Sequence, residues 1–165
     1  MKRIGFFWVA LILVSLPAVL FAQEGEAAPA AQDSSGLTMD GIRFEATSFT
    51  IDSATNTATV TLTLTSLSER SRELKVNVYG TQLVDDQRNA YYFSTITMGR
   101  VSMRFEDRQN YLHYLLQPNK PVPLTITAQS ISPEAAAIQV AKVVFEDRKD
   151  EGRFLEAYLT APTGD

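Results

Sequence analysis

Residues 57–65, TATVTLTLT, constrain the fold of this chain more than any other stretch. Ala58, Val60, Leu62 and Leu64 alternate with threonines, and a period of two puts all four apolar side chains on one face of a strand. A helix would scatter them around its axis. One buried and one wet side implies an antiparallel sheet lying on a core.

The same reading predicts strands over residues 42–51, 74–84, 91–98, 111–116, 122–128, 138–145 and 153–159. Between them lie DSATN, SLSERS, DDQRNA, QPNKP, SISPEA and DRKDEG, each dense in residues that favour turns or solvated loops. About eight short strands in roughly 125 residues is the pattern of a β-sandwich. Only SPEAAA suggests helix, with Ser132 as cap, Pro133 in the first helical position and Glu134 at the positive end. One helical turn joining two strands is expected there.

The tetrapeptide FEDR occurs twice, at residues 105–108 and 145–148. Both copies fall where an apolar strand runs out into polar chain. Their flanks do not match: VSMR and AKVV precede them, QNYL and KDEG follow. A duplicated unit would carry its alternating core positions with its charges, so this is a shared strand exit and not a repeated site.

The chain begins MKRIGFFWVALILVSLPAVLFAQEG. A basic head, an apolar run, Pro17 and the small Ala22 form a secretory signal over residues 1–22, which predicts export to the periplasm or the extracellular space. The alternative is a retained anchor, since residues 4–22 are nearly long enough to span a bilayer. With cleavage, no stable membrane span is expected. Residues 23–38 are rich in Ala, acids, Pro and Ser, and bury too little to offset their ordering entropy, which predicts a flexible tether. Residues 39–161 are then the one folded domain.

Removing residues 1–22 takes two cations, Lys2 and Arg3, and no acid, so the formal charge moves from −4 to −6. An acidic surface argues against nucleic acid or anionic lipid as the main partner. The absence of cysteine removes disulfides, thiolate metal sites and a cysteine nucleophile.

The remaining constellations carry little chemistry. Asp85-Asp86 are adjacent at a strand end and point in opposite directions, which weakens them as an acid–base pair. Glu146, Asp147, Asp150 and Glu151, in and just before DRKDEGRF, are interleaved with Arg148, Lys149 and Arg153, which are expected to neutralise them; a calcium cage is the competing reading. His113 is the only histidine, and no G-x-S-x-G elbow accompanies it, so it is expected on a half-exposed strand face and not in a hydrolytic site. Glycines are scattered singly, with no phosphate loop and no cofactor implied. Aromatics are the richer signal. Alternation forces Tyr92 to the face opposite Tyr91 and Phe93, and Tyr111 and Tyr114 to opposite sides of their strand. Aromatic side chains outside a core can anchor a protein partner or stack on sugars.

Three stretches carry a family resemblance: ATVTLTLTSLSERSRELKVNVYG, TQLVDDQRNAYYF and LLQPNKPVPLTIT. They resemble the small secreted bacterial domains of immunoglobulin-like fold, mostly of unknown function. The resemblance implies an all-β, immunoglobulin-like antiparallel β-sandwich of about 7–9 strands. It also implies a binding or accessory role in the envelope, without a catalytic residue. Arg88 and Asn119 stand where that family has glycine, and at Arg88 a positive φ is hard to hold unless Asn89 absorbs it. The reading that follows is an exported, non-enzymatic domain that contacts a protein partner by a strand edge or end loops. A carbohydrate-binding module using surface aromatics is the alternative. The candidate contact residues are Tyr92, Tyr114, Asp85, Asp86 and Arg88, on or beside loops expected to be accessible.

Overall fold

The computed structural model describes residues 36–162; the leader, the tether through residue 35 and residues 163–165 lie outside the described residues. The alternation in TATVTLTLT is realised in full. Ala58, Val60, Leu62 and Leu64 are completely buried, and the threonines between them are half-buried on the opposite face.

In chain order the strands are β1 (Leu37–Met39), β2 (Ile42–Asp52), β3 (Thr57–Ser66), β4 (Arg72–Asn77), β5 (Gln82–Asp85) and β6 (Ala90–Tyr92). They continue as β7 (Thr95–Met98), β8 (Val101–Arg104), β9 (Tyr111–Leu116), β10 (Pro121–Ala128), β11 (Ile138–Glu146) and β12 (Phe154–Thr160). Two antiparallel sheets result. The first runs β1-β2-β3-β10-β7-β8; the second runs β6-β5-β11-β4-β9, with β12 paired to β11. Their inner faces form one apolar core. Phe44 of the first sheet meets Phe145 of the second with ring centroids 5.3 Å apart. The described residues are all-β, with β-branched residues on pleated, half-buried surfaces as their χ1 stiffness favours.

Several boundaries differ from expectation, each for a physical reason. The strand expected over 74–84 breaks at residues 78–81, giving β4 and β5, both antiparallel to β11. Opposite the break, the Val144 N–H donates to the Thr81 hydroxyl at 3.1 Å, so a side chain replaces a ladder carbonyl. Gly80 lies over Val144, where an added Cβ would come within 3.1 Å of that side chain.

The strand expected over 91–98 also divides, because its halves belong to different sheets. Phe93 turns into the core, and Ser94 bonds the Thr127 carbonyl through both N–H (2.7 Å) and hydroxyl (3.0 Å) as the chain changes sheet. β1 begins at Leu37, inside the stretch assigned to the tether. It pairs with β2 through the two-residue turn Asp40-Gly41, both at positive φ, as a tight type I′ hairpin needs.

SPEAAA forms a β-turn at Pro133-Glu134 in place of the helical turn expected. Ser132 does accept the Glu134 N–H, and Ala135 N–H reaches the Ser132 carbonyl, which closes a single turn. The Ala136 N–H then donates to Asp86 Oδ1 at 3.1 Å, so a side chain across the loop takes the donor a helix would have used.

Candidate functional site

At the point where the chain leaves the second sheet for the first, the sandwich opens into a cleft of about 640 Å³. Two short edge strands flank it, β6 and β8. Tyr92 on β6 is 54% exposed and Phe105, just past β8, is 46% exposed. Phe105 opens a single 3-10 turn, Phe105–Asp107, held by the Arg104 N–H donating to Asp107 Oδ2 at 2.7 Å. Its ring meets Tyr79 and Phe93 edge-on, at centroid distances of 5.5 and 5.7 Å. Phe93 is buried, so the cluster roots an exposed aromatic in the core. Arg104 and Glu106 supply a charged rim, and Gln129 and Ser130 close the far side.

The loop bordering this cleft is built around Asp85. Contrary to the expectation of an accessible acid, Asp85 is buried. Its Oδ1 accepts the N–H groups of Gln87 (2.9 Å) and Asn89 (2.8 Å); its Oδ2 accepts the Asn89 amide (2.9 Å) and the Tyr91 hydroxyl (2.7 Å). Burial pushes the carboxyl up. The bonds donated by Tyr91, Asn89 and the backbone outweigh it and hold the group below the usual carboxylate range. Burial, reinforced by the Asp85 bond, raises the Tyr91 phenol. Asp85 is therefore a loop organiser and offers no contact surface. Asp86 is half-buried and engages Ala136 and Gln87. Arg88 is exposed at the loop tip and itself takes positive φ, 69°, so Asn89 does not absorb it. Asn119 likewise takes φ 54°.

Tyr114 is also displaced from its expected role. It is half-buried and packs on the core, with its ring under the β7–β8 turn. A Cβ at Gly99 would lie 2.5 Å from its hydroxyl. Of the five candidates, the structure leaves Tyr92 and Arg88 outward, and Tyr92 alone lines the cleft.

His113 lies on the open face of β9 with its Nδ1 2.6 Å from Glu73 Oε1. Around DRKDEG, Glu146, which precedes it, bonds Lys75 at 3.0 Å, and Arg153, which follows it, approaches Asp147 at 3.8 Å; Arg148 turns instead to the Ser68 hydroxyl at 3.3 Å. Among the described residues, no three His, Asp or Glu side chains converge as metal ligands do, and no helix is long and apolar enough to cross a membrane.

Phe105 escaped the sequence reading because FEDR was weighed as a charge motif and the four-residue strand before it shows no period. Compared with protein-family models and with curated proteins, the chain finds no match in either.

Proposed function

We propose that this chain is an exported, non-enzymatic binding module of immunoglobulin-like type, acting in the cell envelope or outside it on a protein partner. One observation carries the reading: Tyr92 and Phe105, both about half exposed, stand on either side of a cleft between two short edge strands. Exposed aromatics rooted in a core are the residues that dominate protein–protein binding energy, because they desolvate much apolar area at little entropic cost. The open edges of β6 and β8 add backbone donors and acceptors for a partner strand. Asp85 and Asp86 in the bordering loop are spent on loop structure, Glu106 on the cleft rim has no second acid or histidine in the lining, and His113 sits on another strand face, which favours docking over bond-making.

The test is photo-crosslinking in the native cell from a probe at Glu106, with a second probe at Thr47 on β2 as control. A discrete adduct from position 106, lost in Phe105→Ala and Tyr92→Ala variants that still unfold cooperatively, is the expected result. Equal adducts from both positions, or adducts indifferent to the two substitutions, would refute the reading.

A further inference from the structure

Registers across the second sheet align four outward side chains in one rung: Tyr158 of β12, Lys142 of β11, Gln82 of β5 and Tyr92 of β6. Inward neighbours on the same strands, Ala157, Ala141, Leu83 and the half-buried Tyr91, fix this orientation. Tyr158 is 50% exposed and Tyr92 54%. Three strand spacings separate them, about 14 Å, the length of a short oligosaccharide. We propose that this rung binds an uncharged glycan chain, with one sugar on each tyrosine and the sugars between them on Lys142 and Gln82.

The chemistry matches at each position. A phenol ring offers a flat π-face to the C–H face of a pyranose, while the ammonium donates and the carboxamide both donates and accepts to ring hydroxyls. The Tyr158 hydroxyl bonds Glu156, and Lys142 Nζ lies 3.7 Å from the same carboxylate. The outer tyrosine is thus held along its strand before ligand arrives, which lowers the ordering cost of binding.

Charge selects the ligand class. Lys142 is balanced by Glu156, and on the neighbouring part of the face Lys75 is balanced by Glu146 at 3.0 Å. A face whose cations are already answered by carboxylates complements a neutral ligand and offers little to a polyanion. A protein interface would need a contiguous apolar centre, whereas here two polar positions part the aromatics.

The rung and the protein-docking cleft share Tyr92 and are told apart by their other members: Phe105 belongs only to the cleft, and Tyr158 only to the rung. Binding of the full chain to cellohexaose, chitohexaose and maltohexaose, by calorimetry and by retardation in gels containing the parent polysaccharides, tests it. Saturable binding to at least one is expected. Tyr158→Ala and Tyr92→Ala should each weaken it roughly tenfold, the scale of one lost aromatic contact. Tyr158→Phe, which keeps the ring and loses the Glu156 bond, should retain most affinity, and Phe105→Ala should leave it unchanged. No binding to any of the three overturns the proposal. So does binding that survives Tyr92→Ala/Tyr158→Ala in a folded protein, or a probe at Tyr158, away from the cleft, that crosslinks to protein instead.

Discussion

The Tyr91 hydroxyl donates to Asp85 Oδ2 at 2.7 Å and accepts the Ser132 N–H at 3.1 Å. One phenol thereby joins the β5–β6 loop to the segment that precedes β11. Because bonding holds the folded Asp85 carboxyl below its ordinary value, the unfolded chain binds that proton more readily. Its contribution is complete above the unfolded pKa, about 3.9, and is lost as pH falls through the lower folded value. Urea midpoints measured from neutral pH down into the acid range should therefore fall more steeply for the wild type than for Asp85→Asn. Parallel curves would count against Asp85 as an acid-labile site. Tyr91→Phe should destabilise by about 1–3 kcal/mol, the cost of a lost bond to a buried charge.

A second buried charge sits at the other end of the sandwich. Asp40, in the β1–β2 turn, takes the Arg72 guanidinium of the second sheet on Oδ2 at 2.8 Å, with both side chains almost wholly enclosed. The Arg148 N–H adds a bond to the same oxygen at 3.1 Å, while Arg72 Nε has no partner. Removing one member strands the other in a low dielectric, whereas removing both is far cheaper. Arg72→Met should cost about 3–5 kcal/mol. The double variant Asp40→Asn/Arg72→Met should lose clearly less than the single one, as a chemical-denaturation cycle will measure. Additive losses would mean that the pair is not coupled.

At the tip of the β5–β6 loop, Arg88 holds φ 69° with its side chain in solvent. A Cβ in this region meets the following carbonyl, which a glycine avoids. Arg88→Gly should stabilise the fold by about 0.5–1 kcal/mol, net of the entropy glycine adds to the unfolded chain, and Arg88→Val should destabilise it. Both are read from thermal melts. A destabilised glycine variant would show that the arginine makes a contact outweighing its backbone strain.

How much of this was legible in the sequence depended on the length of each alternating run. β3, β10 and β11 are long enough for a period of two to declare itself, and their inward residues are the core. β1 and β8 are three and four residues long, too short to show a period, although Asp40-Gly41 carried a strong hairpin signal. The breaks at 78–81 and at Ser94 were hidden for another reason. Val78-Tyr79 and Phe93 carry the apolar character up to each break, and the tertiary partner of each backbone group is what reveals that the chain has moved. Tyr92 was found because alternation exposes it. Asp85 and Tyr114 were misplaced because whether a polar tip is spent inward or offered outward depends on how the chain folds around it: Asp85 on the closing of its own loop by Gln87, Asn89 and Tyr91, and Tyr114 on the distant Gly99.

The two FEDR copies are the sharpest test of context over composition. Phe145 continues the alternation of Val143 within β11, pairs across to Leu155, and is fully buried against Phe44. Phe105 follows β8, which pairs with β7 alone and ends after four residues, so the chain there curls into a 3-10 turn and leaves the ring 46% exposed. The acids diverge in the same way. Glu146 meets Lys75 across the sheet, while Glu106 stands free on the cleft rim. Phe145→Ala should thus cost about 3–5 kcal/mol, the range for emptying an aromatic site in a packed core. Phe105→Ala should cost about 1 kcal/mol, because half of its surface is already in water. Paired denaturant melts decide it. Equal losses would mean that Phe105 seals the core, and would remove the aromatic side chain on which the docking cleft depends.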